Sequence, residues 1–163
     1  QLTFSKDKLA PEHLAVYYNL ADITINISDA EGFGLATLES LSCGTPVVVT
    51  MTGGLQEQVT DGEKYFGVGI EPTSKAVIGS QQVPYIYEDR INEEVFVNAL
   101  KKMYDLTQEE RDELGSLGAD HVRKNYSFEK FNKQWIDLML DVHKTCGSWE
   151  TRKNYNAWEF IEL

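Results

Sequence analysis

A chain of 163 residues with 26 acidic and 15 basic side chains carries a formal net charge of −11, and at 42% hydrophobic residues it has an ordinary globular composition. The acidity excludes a protein that neutralises nucleic-acid phosphates with clustered Lys and Arg, or that lies on an anionic membrane surface, and no apolar run approaches the ~20 residues of a membrane-spanning helix. Cys43 and Cys146 are too few and too far apart for a disulfide framework or a metal motif, which predicts reduced thiols and a cytoplasmic protein.

Leu14, Tyr17, Tyr18 and Ala21 recur at helical spacing behind Pro11, a residue suited to a first helical turn, and predict a helix from Pro11 to Ala21. Ile23, Ile25 and Ile27 then alternate with Thr24, Asn26 and Ser28, the period of a strand. Glu31-Gly32-Phe33-Gly34 breaks that alternation. Leu35 to Cys43 reads as a helix ended by Gly44 at its C-terminal cap position, and the nearly apolar Pro46 to Thr50 matches a parallel strand buried on both faces. Thr52-Gly53-Gly54 turns the chain, Leu55 to Thr60 suits a helical turn, Asp61-Gly62 turns it again, and Tyr65 to Ile70 suits a further strand. Strand, glycine turn, helix, strand is the order of parallel βαβ units, so the expected class is α/β, a Rossmann-like parallel sheet flanked by helices.

Residues 71–91 form an irregular insertion, in which Ala76-Val77-Ile78 and Tyr85-Ile86-Tyr87 flank Gly79-Ser80-Gln81-Gln82 as in a hairpin. Residues 92–145 read as helices. Asn92 caps one that carries Val95, Phe96, Ala99, Leu100 and Met103. Thr107 with Glu110 has capping-box spacing before Leu114, Leu117 and Val122. In the third, Phe128, Phe131, Trp135, Leu138, Met139 and Val142 form one stripe expected to be core. The tail, 146–163, holds Trp149, Tyr155, Trp158 and Phe160, too short for its own core and expected to dock on a neighbouring surface. With no repeat and no linker, residues 1–163 are expected to form a single domain around a core in residues 1–70.

The chemistry concentrates between Asp29 and Glu57. A helix starting near Leu35 places Glu31 in the loop ahead of it and Glu39 in its early turns. Gly32 and Gly34 allow a ligand close to the backbone, and the free amides of the helix start favour an anion. A carboxylate accepts two hydrogen bonds from a vicinal diol, so a diphosphate at the helix start with diols at Glu31 and Glu39 describes a nucleotide sugar.

These residues carry a resemblance. Ala21-Asp22-Ile23, then Glu31-Gly32-Phe33-Gly34-Leu35 through Glu39 to Gly44-Thr45-Pro46-Val47-Val48-Val49-Thr50, then Gly53-Gly54-Leu55-Gln56-Glu57, are similar to the donor-binding core of retaining group-one (family four) glycosyltransferases. The similarity covers about residues 9 to 70, and Asn125-Tyr126-Ser127-Phe128 resembles the family's C-terminal end. It implies the C-terminal half of a GT-B fold and transfer of a sugar from a nucleoside diphosphate sugar, with retention, to a saccharide, lipid or protein acceptor. No cofactor and no essential metal are implied. Carried over, the pattern implies that Glu31 acts at the reacting sugar, that Glu39 binds the ribose, and that Gly32, Phe33, Gly34, Leu35 and Gly54 line the donor site.

Between Lys8 and Lys64 there is no Lys or Arg, while eight acidic residues give that stretch a formal charge of −8. Amides alone hold a diphosphate poorly against such a field. The resemblance implies an Arg and Lys pair upstream and an N-terminal acceptor domain, so the chain is expected to be the later part of a donor domain, inactive alone, with any peripheral membrane attachment left to the other half. The alternatives are a GT-B sugar-nucleotide epimerase or phosphorylase, and a non-catalytic binding or assembly module. Gln56, Glu57, His13, His121 and His143 are expected on the surface or in packing roles, and Cys43 is expected to be packed.

Overall fold

The computed structural model describes residues 8–153, which fall into two compact units divided between Lys124 and Asn125. In the first, helix α1 (Pro11–Leu20) leads into strand β1 (Thr24–Asn26), helix α2 (Leu35–Ser42), strand β2 (Val47–Thr50), the short helix α3 (Leu55–Val59) and strand β3 (Gly67–Ile70). The three strands form a parallel sheet in the order β1-β2-β3, with Thr24 opposite Val47 and Val47 opposite Gly67. The α/β class and both βαβ units are therefore as the strand, glycine and helix order predicts.

β2 is buried at all four positions, as expected of a central parallel strand. Successive side chains on it point to opposite faces. Val48 joins Val68, Ile70, Ala99 and Met103 in one cluster, with Ile23, Ile91, Val95, Phe96, Leu106 and Leu114 packed around it. Val47 and Val49, turned the other way, are also fully buried, as are Leu41 of α2 and Leu55 and Val59 of α3. Each such side chain contributes about 1.5–3 kcal/mol on burial, and together they fix the two crossover helices against the sheet.

The insertion is a hairpin. β4 (Ser74–Ile78) and β5 (Ile86–Arg90) pair antiparallel, with Ser74 opposite Arg90 and Ile78 opposite Ile86. Helix α4 (Glu93–Tyr104) follows, its first turn capped where Asn92 Oδ1 accepts from the Val95 amide at 2.9 Å. Helix α5 (Gln108–Asn125) opens on the full capping box: Glu110 accepts from the Thr107 amide at 2.8 Å, and Thr107 Oγ1 accepts from the Glu110 amide at 3.2 Å. Its buried face includes Val122 of the expected apolar row and, beyond that row, small residues. Gly115, Gly118, Ala119 and Val122 are buried, while Leu114 and Leu117 are half-buried beside them. The reason is a close backbone approach: a Cβ on Gly115 would overlap the carbonyl of Gly44, and one on Gly118 would lie 2.6 Å from Leu41 and 3.2 Å from Phe66.

The second unit holds helix α6 (Phe128–Cys146), capped by Ser127, whose Oγ accepts from the Lys130 amide at 3.3 Å. Here the expectation of a core stripe is corrected. Phe128, Phe131, Trp135, Leu138, Met139 and Val142 are all exposed, because the described part of this unit contains one helix and no second element to bury its apolar side. In the tail Trp149 is exposed, with the Arg152 guanidinium 3.7 Å over its ring. Tyr155, Trp158 and Phe160 lie outside the described residues.

Candidate functional site

The loop from Asp29 to Gly34 leaves the carboxyl end of β1 and enters α2, and the turn at Gly53-Gly54 follows the carboxyl end of β2. In open α/β sheets this edge is where ligands bind. Gly34 is the N-cap of α2 with φ 87°, a left-handed conformation natural to glycine, and its carbonyl accepts from the amides of Thr37 at 3.1 Å and Leu38 at 3.2 Å. No side chain caps this helix end, and Leu35 and Ala36 beside it are exposed. The amides of the first turn therefore form a surface of partial positive charge, as the anion reading of the sequence requires.

Polar side chains hold α2 in place. Thr37 and Ser40 are buried on its inner face; Asn26 Nδ2 donates to Thr37 Oγ1 at 3.4 Å, and Ser40 Oγ donates to the Thr45 carbonyl at 3.1 Å and shares a 2.7 Å hydroxyl–hydroxyl hydrogen bond with Thr24 Oγ1. These bonds tie α2 to β1 and set where the helix start points.

The two glycine segments of the site pack on one another. Gly53 has φ 50°, and a Cβ there would overlap the carbonyl of Glu31. A Cβ on Gly54 would stand 2.6 Å from the Phe33 carbonyl oxygen and 2.8 Å from its Cα. Gly53 is thus a turn residue that buttresses the Glu31 loop by direct backbone contact, and Gly54 lies against the same loop. Gln58, fully buried on α3, completes the support by donating Nε2 to the Phe33 carbonyl at 2.5 Å. Sequence reasoning missed Gln58; its helical spacing three residues after Leu55 and its place beside Val59 are its one signal.

Glu31 is half-buried in the supported loop, Gly32 is exposed, and Phe33 is 44% exposed, so its ring is on the surface beside the helix start and not a core plug. Glu39 is exposed farther along α2, where Tyr18 of α1 donates its hydroxyl to Oε2 at 3.1 Å. Burial, followed by this hydrogen bond and the negative charge of Glu39, pushes the Tyr18 hydroxyl up from 10.0 to about 12, so it remains a donor at neutral pH. Cys43 lies one turn beyond Glu39 and is half-buried, its thiol raised first by desolvation and then by the Glu39 charge.

Gln56 and Glu57 are exposed, and the Glu57 backbone oxygen lies 3.1 Å from His121 Nε2. The His121 ring packs on Phe66 with centroids 4.6 Å apart, a packing role. His13 and His143 are on the surface. Among the described residues no group of three His, Cys, Asp or Glu side chains is placed to hold a metal ion, and no helix is long and apolar enough to cross a membrane.

The hairpin brings a cation to this region that its position in the chain conceals. Arg90 of β5 pairs with Asp29 at 2.7 Å and with Glu88 at 2.6 Å, and the hydrogen bond to Glu88, then the charge of Asp29, raise its pKa further above the ordinary arginine value.

With the sheet, the glycine loop and the two carboxylates placed, comparison with known proteins identifies the family. Residues 3–116 match the family described as glycosyl transferases group 1. The chain belongs to that family, and it corresponds to the C-terminal domain of such an enzyme in the GT-B fold. It is similar to the D-inositol 3-phosphate glycosyltransferase of Paenarthrobacter aurescens, with 35% identity over 115 residues, covering 70% of this chain and 22% of the relative. The corresponding protein of Acidothermus cellulolyticus is 49% identical over 55 residues, 34% of this chain and 12% of that one. The sucrose-phosphate synthase of Thermosynechococcus elongatus has a similar structure, with a TM-score of 0.63 at 26% identity over 82% of this chain and 28% of the other. The chain thus spans well under a third of the length of the relatives it matches.

Proposed function

We propose that the protein containing this chain transfers a sugar from a nucleoside diphosphate sugar to an acceptor, with retention of configuration, and that this chain supplies most of the donor side. The observation that carries the reading is the uncapped start of α2, entered through Gly34, at the carboxyl edge of a parallel sheet in a group 1 glycosyltransferase. The amides at Leu35 and Ala36 donate to the diphosphate, Glu39 accepts from the ribose hydroxyls, and Glu31 accepts from the hydroxyls of the transferred sugar. Gly32, Phe33 and Gly54 line the space between them. Transfer develops negative charge on the leaving diphosphate, and fixed donors aimed at that charge lower the barrier.

Amides alone leave that charge under-compensated within a stretch of formal charge −8. Arg90 is committed to Asp29 and Glu88 and does not serve as its counterion. The balancing cations come from elsewhere in the full protein, and the isolated chain binds donor weakly without turning it over.

Saturation-transfer NMR of the full-length protein against uridine, guanosine and adenosine diphosphate sugars, repeated on Glu39→Ala, tests this. Transfer from one donor that disappears in the variant supports the reading and identifies the nucleotide. Absence of signal for every donor in the full-length protein overturns it in favour of a binding module that kept the fold and lost the reaction.

A further inference from the structure

The hairpin's second strand ends against the loop that carries Glu31. The amide of Asp89 donates to the Asp29 carbonyl at 2.8 Å, and Arg90 Nη1 donates to Asp29 Oδ2 at 2.7 Å. Arg90 is itself fixed before it meets the loop: Nη2 reaches Glu88 at 2.6 Å, Nη1 reaches the Asp89 carbonyl at 3.2 Å, and its backbone oxygen accepts from the Thr73 amide at 2.8 Å. Lys75 lies 3.7 Å from Asp89 across the hairpin, which leaves Asp29 to Arg90. The pair is partly shielded, with side-chain exposures of 35% for Arg90 and 51% for Asp29, and bonds between ionised partners are the shorter and stronger kind. Asp29 stands two residues before Glu31, whose carbonyl is closed from the other side by Gly53. The loop is therefore gripped at one end by a charge pair and at the other by backbone packing.

We propose that Arg90 is a positioning residue for the donor loop. By holding Asp29 it sets where Glu31 presents its carboxylate, so the inserted hairpin governs how tightly the sugar part of the donor is bound, separately from the nucleotide part. This rests on the donor reading above. The separation follows from the architecture: Glu39 stands on α2 and is oriented by Tyr18 of α1, and among the described residues its side-chain hydrogen bond is to Tyr18 and not to the hairpin. Releasing Arg90 lowers the fraction of molecules with a competent Glu31 loop and weakens sugar recognition by that fraction, while the contact to ribose persists.

The test uses the full-length protein with UDP-glucose, GDP-mannose and ADP-glucose, each beside its free nucleoside diphosphate, in the wild type, Arg90→Ala, Arg90→Lys and Asp29→Asn. The amide resonances of Gly32 and Gly34 are followed by labelling glycine. For the donor that the wild type binds, Arg90→Ala is expected to raise Kd about fivefold, the upper range for a partly exposed pair, and to leave the free nucleoside diphosphate essentially unchanged. Both glycine resonances shift, Asp29→Asn behaves similarly, and Arg90→Lys restores most of the affinity. Equal weakening of donor and nucleoside diphosphate, or glycine resonances that stay in place in Arg90→Ala, overturns the proposal. If the wild type binds none of the six ligands, the donor reading fails. The resonances then decide alone: a shift in Arg90→Ala reversed in Arg90→Lys supports the role of Arg90, and no shift overturns it.

Discussion

The side-chain amide of Gln58 donates to the backbone carbonyl of Phe33 at 2.5 Å, joining α3 to the loop that precedes α2 across 25 positions of sequence. Gln58 is fully buried and its Oε1 has no hydrogen-bond partner among the described residues. A wholly apolar side chain would bury without that orphaned acceptor, so the residue is explained by what its nitrogen holds. Gln58→Met keeps the volume, relieves the orphan and loses the bond to Phe33. It is expected to lower stability by about 1–2 kcal/mol in a urea titration and to weaken donor binding more than the stability loss accounts for.

The glycines of the site separate into two kinds. Gly53→Ala puts a methyl group onto the Glu31 carbonyl at a left-handed φ, and is expected to cost about 2–3 kcal/mol in the same titration. A Cβ on Gly32 meets nothing within 4 Å, so Gly32→Ala should leave stability within about 0.5 kcal/mol of the wild type. Because Gly32 is proposed to line the donor site, affinity for the nucleotide sugar should fall in Gly32→Ala while the urea midpoint stays in place.

Tyr18 gives a pH dependence whose sign is fixed by its raised pKa. The folded state favours the neutral phenol, so its contribution to stability is complete below pH 10.0 and is lost as pH rises through about 12. An absorbance titration of the native protein should show one late-ionising tyrosine that disappears in Tyr18→Phe. The same substitution frees Glu39 from its hydroxyl partner and should loosen binding of the free nucleoside diphosphate as well as of the donor.

The two thiols should differ in rate. Cys43 is half-buried, with burial and then the Glu39 carboxylate disfavouring its thiolate, whereas Cys146 is exposed at the end of α6. Under native conditions a thiol reagent is expected to modify Cys146 first and Cys43 in a slower phase. Glu39→Gln should speed the slow phase, and peptide mapping assigns each.

How much of this was legible in the sequence depends on the range of the interaction. The βαβ units could be read because their signals are local: apolar runs for β2, the glycine after α2, and the capping residues Asn92 and Thr107. Glu31, Gly34 and Glu39 could be placed relative to α2 for the same reason. The supports of the loop were not legible, because Gln58 and Arg90 act on Phe33 and Asp29 through space, and a glutamine or arginine looks the same in sequence whether it is solvated or committed. On α5 periodicity finds Val122 but not Gly115 and Gly118, because it weights large apolar residues and the closest approach is made where a residue has no side chain at all. For α6 the stripe was read correctly and its burial was not, since amphipathicity reports a face and not what covers it.

The two ends of the hairpin meet, Thr73 donating to the Arg90 carbonyl through both its amide at 2.8 Å and its hydroxyl at 3.2 Å. The chain thus leaves the crossover from β3 to α4 and re-enters it at nearly the same place, so β4 and β5 behave as a cassette inserted into an otherwise ordinary connection. Such a cassette can be exchanged for a short linker, or grafted between related enzymes, without redrawing the sheet beneath it.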